Sequence, residues 1–295
     1  MSYLERTDSK YLACVSRPIE AHGQFFPQAA DGTILNPSSM DNVPELVQPL
    51  IDGVIAVYQQ RLKGHLRSVY VRGSVVHGTS VKGFSDLDTF ALVQPTDQQP
   101  FIWWCTPDWE AEASRKLLAY HDGWVTGIDF GYATWHEDLL KRHPNLAMVL
   151  KTQSLCVAGI DLKPLLPEFK PGLEMCCDYL ALERELALLS AMVSGQVSLN
   201  AHKAQSAAKR LIRIAFELFM EREQRYTTSV YYCWDCFGRY YPQQREAARQ
   251  VLEFYLNPEP NILAVAQCLS YGQWLKERVE NYLQPMLADL ASVEQ

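Results

Sequence analysis

Residues 69–93 constrain this 295-residue chain more than any other stretch. An apolar, β-prone run (Val69, Tyr70, Val71) leads into Gly73-Ser74. A polar turn punctuated by Gly78 and Gly83 follows, and a second apolar run then carries Asp86 and Asp88 two positions apart. The pattern predicts two strands joined by a glycine-bearing turn. Side chains alternate along a strand, so Asp86 and Asp88 project from one face while Leu87 and the apolar residues around Phe90 turn into a core. Two acids held side by side repel one another unless a cation lies between them. The expected resident is Mg²⁺.

A chain of this length is long for one core and short for three, so two domains are expected. Pro164, Pro167, Pro171 and Gly172 punctuate the chain closely and mark the boundary. Residues 1–165 form the first domain, within which 1–40 are weakly patterned and broken by Pro18, Gly23, Pro27, Gly32 and Pro37. A helix starts near Asp41 or Asn42, with Pro44 in its first turn, and stops at Gly64. Val47, Leu50, Ile51, Val54, Tyr58 and Leu62 give it one apolar face. A second helix runs from Thr106-Pro107-Asp108 to about His121. Trp124 to Tyr132 reads as a strand in which Asp129 stands between two buried neighbours, Ile128 and Phe130. Residues 136–153 are helical with an interruption at Pro144, and Ser154 to Gly159 is a final short strand. Residues 172–295 are helical, over roughly 174–194, 201–225, 227–240, 242–256 and one or two further segments. Their short connections imply antiparallel neighbours in a bundle.

The formal net charge of -7 argues against a general nucleic-acid binder. Residues 1–10 are polar and charged, without the apolar core of a signal peptide, and no later stretch reaches the ~18 apolar residues of a membrane span. A cytoplasmic protein is expected, and its eight cysteines fit reduced thiols. Cys233-Trp234-Asp235-Cys236 has the spacing of a redox or zinc half-site. It has no second pair, and its aromatic neighbours favour packing cysteines.

Gly73-Ser74, eleven intervening residues, Asp86-Leu87-Asp88 and a later isolated strand acid resemble the nucleotidyltransferase superfamily typified by DNA polymerase beta. With Gly78-Thr79 and Ser85 included, the stretch looks like that of the small bacterial aminoglycoside and lincosamide nucleotidyltransferases. The strong match covers about twenty residues. The resemblance implies an α+β fold: a mixed-sheet palm flanked by helices, followed by the C-terminal helical bundle. It implies an enzyme moving a nucleoside monophosphate from an NTP, expected to be ATP, to an acceptor hydroxyl, with release of pyrophosphate. Two Mg²⁺ ions, for which Mn²⁺ can substitute, are held by Asp86, Asp88 and Asp129. Gly73, Ser74 and Ser85 serve the nucleotide. By position on the helices beyond the boundary, Lys209 and Arg213, with Thr228 or Ser229, reach the triphosphate, though a solvated basic face is an equal reading. Asp161, in Gly159-Ile160-Asp161-Leu162, competes with Asp129 for the third carboxylate, and the mid-strand Asp129 is preferred.

The acceptor stays open. Acidic composition suits a small cationic molecule such as an aminoglycoside; tRNA, a protein or a second nucleotide are the rivals. A non-catalytic nucleotide-binding module is the remaining alternative. His77 and Lys82 are further candidates at the turn, and Trp103, Trp104, Trp109, Trp124 and Trp135 are candidate stacking or core aromatics.

Overall fold

The computed structural model describes residues 17–95, 102, 104–121 and 123–286. The expectations for residues 1–10 and Trp103 lie outside the described residues. Two compact units emerge. One contains residues 24–175 with 224–226, and the other contains residues 17–23, 176–223 and 227–286. The expected division at 165–172 falls at 175/176. The proline-punctuated stretch is still tied to the first unit, where Ile34 N–H donates to Phe169 O at 2.8 Å and Lys151 Nζ pairs with Glu168 at 2.7 Å.

The first unit is a mixed sheet. Its strands are β1 (Leu66–Arg72), β2 (Leu87–Val93), β3 (Ile128–Asp129), β4 (Tyr132–Thr134) and β5 (Ser154–Gly159), in the order β3-β2-β1-β5, with β4 also on β2. β1 is antiparallel to β2 and β5, whereas β3 and β4 run parallel to β2. Both faces are covered, which is why β1 and β2 read as nearly continuous apolar runs. On one face Val69, Val71, Leu87, Ala91 and Ile128 pack with Leu50, Ile51, Val54 and Tyr58 of α1 (Gln48–Leu62) and Ala113 of α2 (Glu110–Leu118). On the other, Tyr70, Phe90 and Leu92 pack with Leu139 of α3 (Leu139–Arg142) and with Leu146, Ala147 and Leu150 of α4 (Pro144–Gln153). Each fully buried Val, Leu, Ile or Phe among them contributes about 1.5–3 kcal/mol.

Three local expectations shift. The first long helix begins at Gln48 with Pro49, not Pro44, in its opening turn. Residues 40–42 form instead a short 3₁₀ turn whose cap residue, Ser39, donates its N–H to Val76 O at 3.0 Å, so the chain is held against the glycine-bearing turn before the helix starts. The strand expected over 124–132 is two short strands. Its ladder breaks at Phe130-Gly131, where side chains take the backbone groups: the Tyr58 hydroxyl accepts Gly131 N–H at 3.1 Å, and Thr89 Oγ1 donates to Asp129 O at 2.7 Å. The weakly patterned segment also has a place. Asn36 Nδ2 donates to Lys151 O and Ser154 O, Ser38 Oγ donates to Gln153 O, and Asn42 Nδ2 donates to Val76 O, so residues 36–42 brace the turn and the α4–β5 junction.

The second unit is built of α5 (Leu182–Val193), α6 (Ala201–Glu217), α7 (Met220–Glu223), α8 (Val230–Tyr240), α9 (Arg245–Leu256) and α10 (Ile262–Arg278). Asn200 caps α6 by accepting Lys203 N–H at 2.9 Å. Ala204, Ala207, Ala208, Leu211 and Ala215 form its buried face. The Glu217 carboxylate ends that helix by accepting the N–H groups of Cys177, Asp178 and Tyr179 at 2.6, 2.7 and 2.9 Å. Cys233 and Cys236 are buried within α8, and burial pushes the Cys233 thiol up, as packing cysteines require. Among the described residues no helix is long and apolar enough to cross a membrane.

His143 caps α4 through Nδ1, which accepts Leu146 N–H at 3.2 Å, and burial holds its imidazole below the usual range. Protonation removes that acceptor. Because the folded state holds the proton more weakly than the unfolded chain, this contribution is complete above about pH 6.5 and is lost as pH falls through the depressed folded value. His143→Asn keeps a capping acceptor. The melting temperature of this variant should fall less than that of wild type on acidification to about pH 5.5.

Candidate active site

The sheet register builds the site. Arg72 on β1 lies opposite Asp88 on β2, and Asp88 lies opposite Asp129 on β3, so three neighbouring strands contribute one transverse row. Residues directly opposite in a sheet point to the same side. Asp86 immediately precedes β2 and joins the same side two positions before Asp88. One ligand oxygen from each of Asp86, Asp88 and Asp129 lies within 4.8 Å of the others, and among the described residues this is the one group of three or more acidic, histidine or cysteine side chains so arranged. Asp86 and Asp88 are half-buried and Asp129 is exposed, while its neighbours Ile128 and Phe130 are buried as expected.

Asp161 is elsewhere. It follows β5, which pairs antiparallel with β1 so that Gly159 stands opposite Ser68 and Ser154 opposite Arg72. Asp161 thus lies beyond the opposite end of β1 from the carboxylate row. There it receives the Tyr70 hydroxyl at 3.4 Å and the Lys163 N–H at 3.1 Å, and pairs with Lys163 Nζ at 3.5 Å.

Gly73 is required twice over. Its φ of +82° lies in the left-handed region, and a Cβ there would stand 2.5 Å from Asp88 Oδ2. Beyond it the chain makes one helical turn, closed by His77 N–H on Gly73 O at 3.2 Å and anchored by buried Val75 and Val76. Ser74 is half-buried at the start of that turn. Ser85 is buried and organises the end of the loop, its Oγ accepting Val81 N–H at 2.8 Å and its carbonyl accepting Thr126 N–H at 2.9 Å. His77 is buried too. Its Nε2 lies 3.1 Å from Gln153 O and its ring meets Phe26 edge-on, which gives it a packing position. Lys82 Nζ sits 5.7 Å over the Trp124 ring. Trp135 is core, whereas Trp104 is exposed and covers Gly131.

Lys209, Arg213, Thr228 and Ser229 belong to the helical unit. Lys209 is half-buried on α6. Arg213 Nη2 donates to Thr228 O at 2.9 Å. Ser229 caps α8 by accepting Tyr232 N–H, and its hydroxyl donates to His22 O.

Several positioning residues are not evident in the sequence. Arg72 Nη2 meets Asp88 Oδ1 at 3.0 Å. The outer edge of β3 is gripped by α2: Ser114 Oγ accepts Ile128 N–H at 3.0 Å and Glu110 Oε1 accepts Phe130 N–H at 3.2 Å. These acceptors, four apart on one helix face, flank Asp129 and do for the strand edge what another strand would do. Tyr58 and Thr89 hold the inner side through the bonds described above. Only the helical i,i+4 spacing of Glu110 and Ser114 was available as a signal. If this grip positions Asp129, Ser114→Ala, which leaves a buried N–H unpaired, should cost about 1–3 kcal/mol of stability and weaken Mn²⁺ binding. Ser114→Thr, retaining the oxygen, should restore both, as read by thermal melting and Mn²⁺ titration.

No protein-family model and no curated protein sequence matches this chain. Solved structures similar to it include the following two. A spectinomycin adenyltransferase from Enterococcus faecialis, solved with ATP and spectinomycin, is 14% identical, with 76% of this chain and 98% of that one covered and a TM-score of 0.43. A nucleotidyltransferase-like protein from Exiguobacterium sibiricum is 14% identical, with 78% of this chain and 75% of that one covered and a TM-score of 0.30.

Proposed function

We propose that this protein is a Mg²⁺-dependent nucleotidyltransferase that moves a nucleoside monophosphate from an NTP, ATP first, to a hydroxyl of an acceptor. The observation that carries the reading is the convergence of Asp86, Asp88 and Asp129 within 4.8 Å beside the Gly73-Ser74 turn. The donor set fits the ion. Three carboxylates with no histidine or thiol suit a hard, oxygen-seeking cation such as Mg²⁺ or Mn²⁺. When bound, two such ions activate the acceptor oxygen and neutralise the leaving pyrophosphate.

In this reading the acceptor oxygen forms a bond to the α-phosphorus, and the bond from that phosphorus to the bridging oxygen of the β-phosphate breaks. The hydroxyl proton leaves to solvent, and pyrophosphate departs with the bond pair. Asp86 and Asp88 hold the cations from β2 and the residue before it. Asp129, the exposed member, serves the acceptor side. Gly73 lets the backbone approach the triphosphate, and the Ser74 hydroxyl and turn amides donate to its oxygens. Ser85 keeps the loop in shape. Lys209, Arg213 and Ser229 enter the proposal from the resemblance alone, as triphosphate contacts. The net charge of -7 supports a small cationic acceptor, since a negative surface concentrates cations.

The test is pyrophosphate release with each labelled NTP, Mg²⁺ or Mn²⁺, and panels of aminoglycosides, tRNA and cell extract. Asp88→Ala and Asp129→Asn should each lower turnover by about a thousandfold, the scale on which electrostatic contacts to developing charge act. Asp161→Asn should leave it unchanged. Wild-type turnover in Asp88→Ala would sink the metal assignment. Label arriving on tRNA, on a protein or in a dinucleotide would replace the acceptor. Cation and nucleotide binding without pyrophosphate release from any NTP would make the chain a binding module.

A further inference from the structure

Arg72 brings a cation to the carboxylate row. It stands in register between Asp88 on one side and Ser154 of β5 on the other, and the row continues to Asp129. Its Nη2 lies 3.0 Å from Asp88 Oδ1, and the two side chains are 34% and 20% exposed. A half-desolvated pair of this kind attracts more strongly than one in open water. Asp88 Oδ1 meets Arg72, and Oδ2 lies over Gly73, where any side chain would crowd it. A divalent cation approaching Asp88 therefore meets a carboxylate that a guanidinium already holds. Arg72 also directly precedes Gly73-Ser74, so its fork of donors borders the turn assigned above to phosphate.

We propose that Arg72 is a positioning residue that couples cation binding to nucleotide binding. It holds Asp88 when the site contains neither. When both arrive, it yields Asp88 to the cation and turns its guanidinium to the triphosphate. The charges favour the exchange. A divalent cation carries twice the charge that Arg72 offers Asp88, and a triphosphate offers the released guanidinium more negative charge than one carboxylate does. Arginine suits the task because its planar donors match a phosphate as well as a carboxylate. The inference rests on the metal assignment proposed above, and the coupling it describes is reciprocal by linkage.

The experiment is two binding measurements on the full chain. Mn²⁺ affinity is read by electron paramagnetic resonance without nucleotide, and the affinity of a non-hydrolysable ATP analogue is read at saturating Mn²⁺. Arg72→Ala should tighten Mn²⁺ alone by about three- to tenfold and weaken the analogue by about tenfold, within the usual range of couplings between sites. Arg72→Lys, which keeps the charge without the fork, should fall between wild type and Arg72→Ala in both. If Arg72→Ala does not fold, as judged by circular dichroism, Arg72→Gln takes its place. Unchanged constants in the variants, or weaker Mn²⁺ binding in Arg72→Ala, would overturn the coupling and leave the metal assignment standing. Failure of the wild-type chain to bind Mn²⁺, with Asp88→Ala indistinguishable from it, would remove the metal assignment and this inference with it.

Discussion

The mutual repulsion of Asp86, Asp88 and Asp129 is the constraint on which the rest of the structure depends. Three carboxylates with ligand oxygens within 4.8 Å do not stay together unless the backbone that carries them is rigid and some positive charge is near. The protein meets both conditions. Arg72 supplies charge directly across the ladder, and the sheet supplies rigidity because both of its faces are packed by helices. In the function proposed above the same feature gives the site its chemistry, since a carboxylate cluster that is costly when bare is suited to small divalent cations.

Rigidity is least expected at β3, which has two residues and lies at the edge of the sheet. Such a strand cannot hold an acid in place by its own ladder. Here it is clamped from outside by Ser114 and Glu110 of α2 and from inside by Thr89, which itself sits 3.1 Å from the buried Tyr58 hydroxyl. The three bonds to residues 128–130 all go to backbone groups. The Asp129 side chain thus faces solvent while its peptide neighbours are fixed, the arrangement a group needs if it is to meet an incoming molecule in one geometry.

Much of this was legible in the chain. The apolar, β-prone run of Val69, Tyr70 and Val71, the Gly-Ser pair and the spacing of Asp86 and Asp88 specify two strands and a carboxylate face, because strand propensity and periodicity are local properties. Ser154 to Gly159 is a strand with the bounds expected of it, and Ile128 and Phe130 are buried about Asp129. Less legible were positions whose role is set by a distant partner. Pro44 and Pro49 are equally plausible helix starters locally, and the tether from Ser39 to Val76 favours the later one. Residues 36–42 look unpatterned because their work is done by the side-chain amides and hydroxyls of Asn36, Ser38 and Asn42 on remote carbonyls, which leaves no periodicity.

By itself, the sequence determined that Asp86 and Asp88 share a face, that Gly73 leads into a turn, and that helices dominate the described residues beyond 181, since each follows from neighbours within a few positions. Only the tertiary structure sets Asp129, and not Asp161, beside Asp88. Both stand in a Gly-Ile-Asp-apolar string, and the mid-strand position that favours Asp129 does not say which strand lies beside it. The parallel pairing of β3 with β2 places one opposite Asp88, while the antiparallel pairing of β5 with β1 carries the other past the far end of the sheet. Arg72 was settled in the same way, because a register between strands is fixed by the packing of whole faces and not by the residues adjacent in the chain.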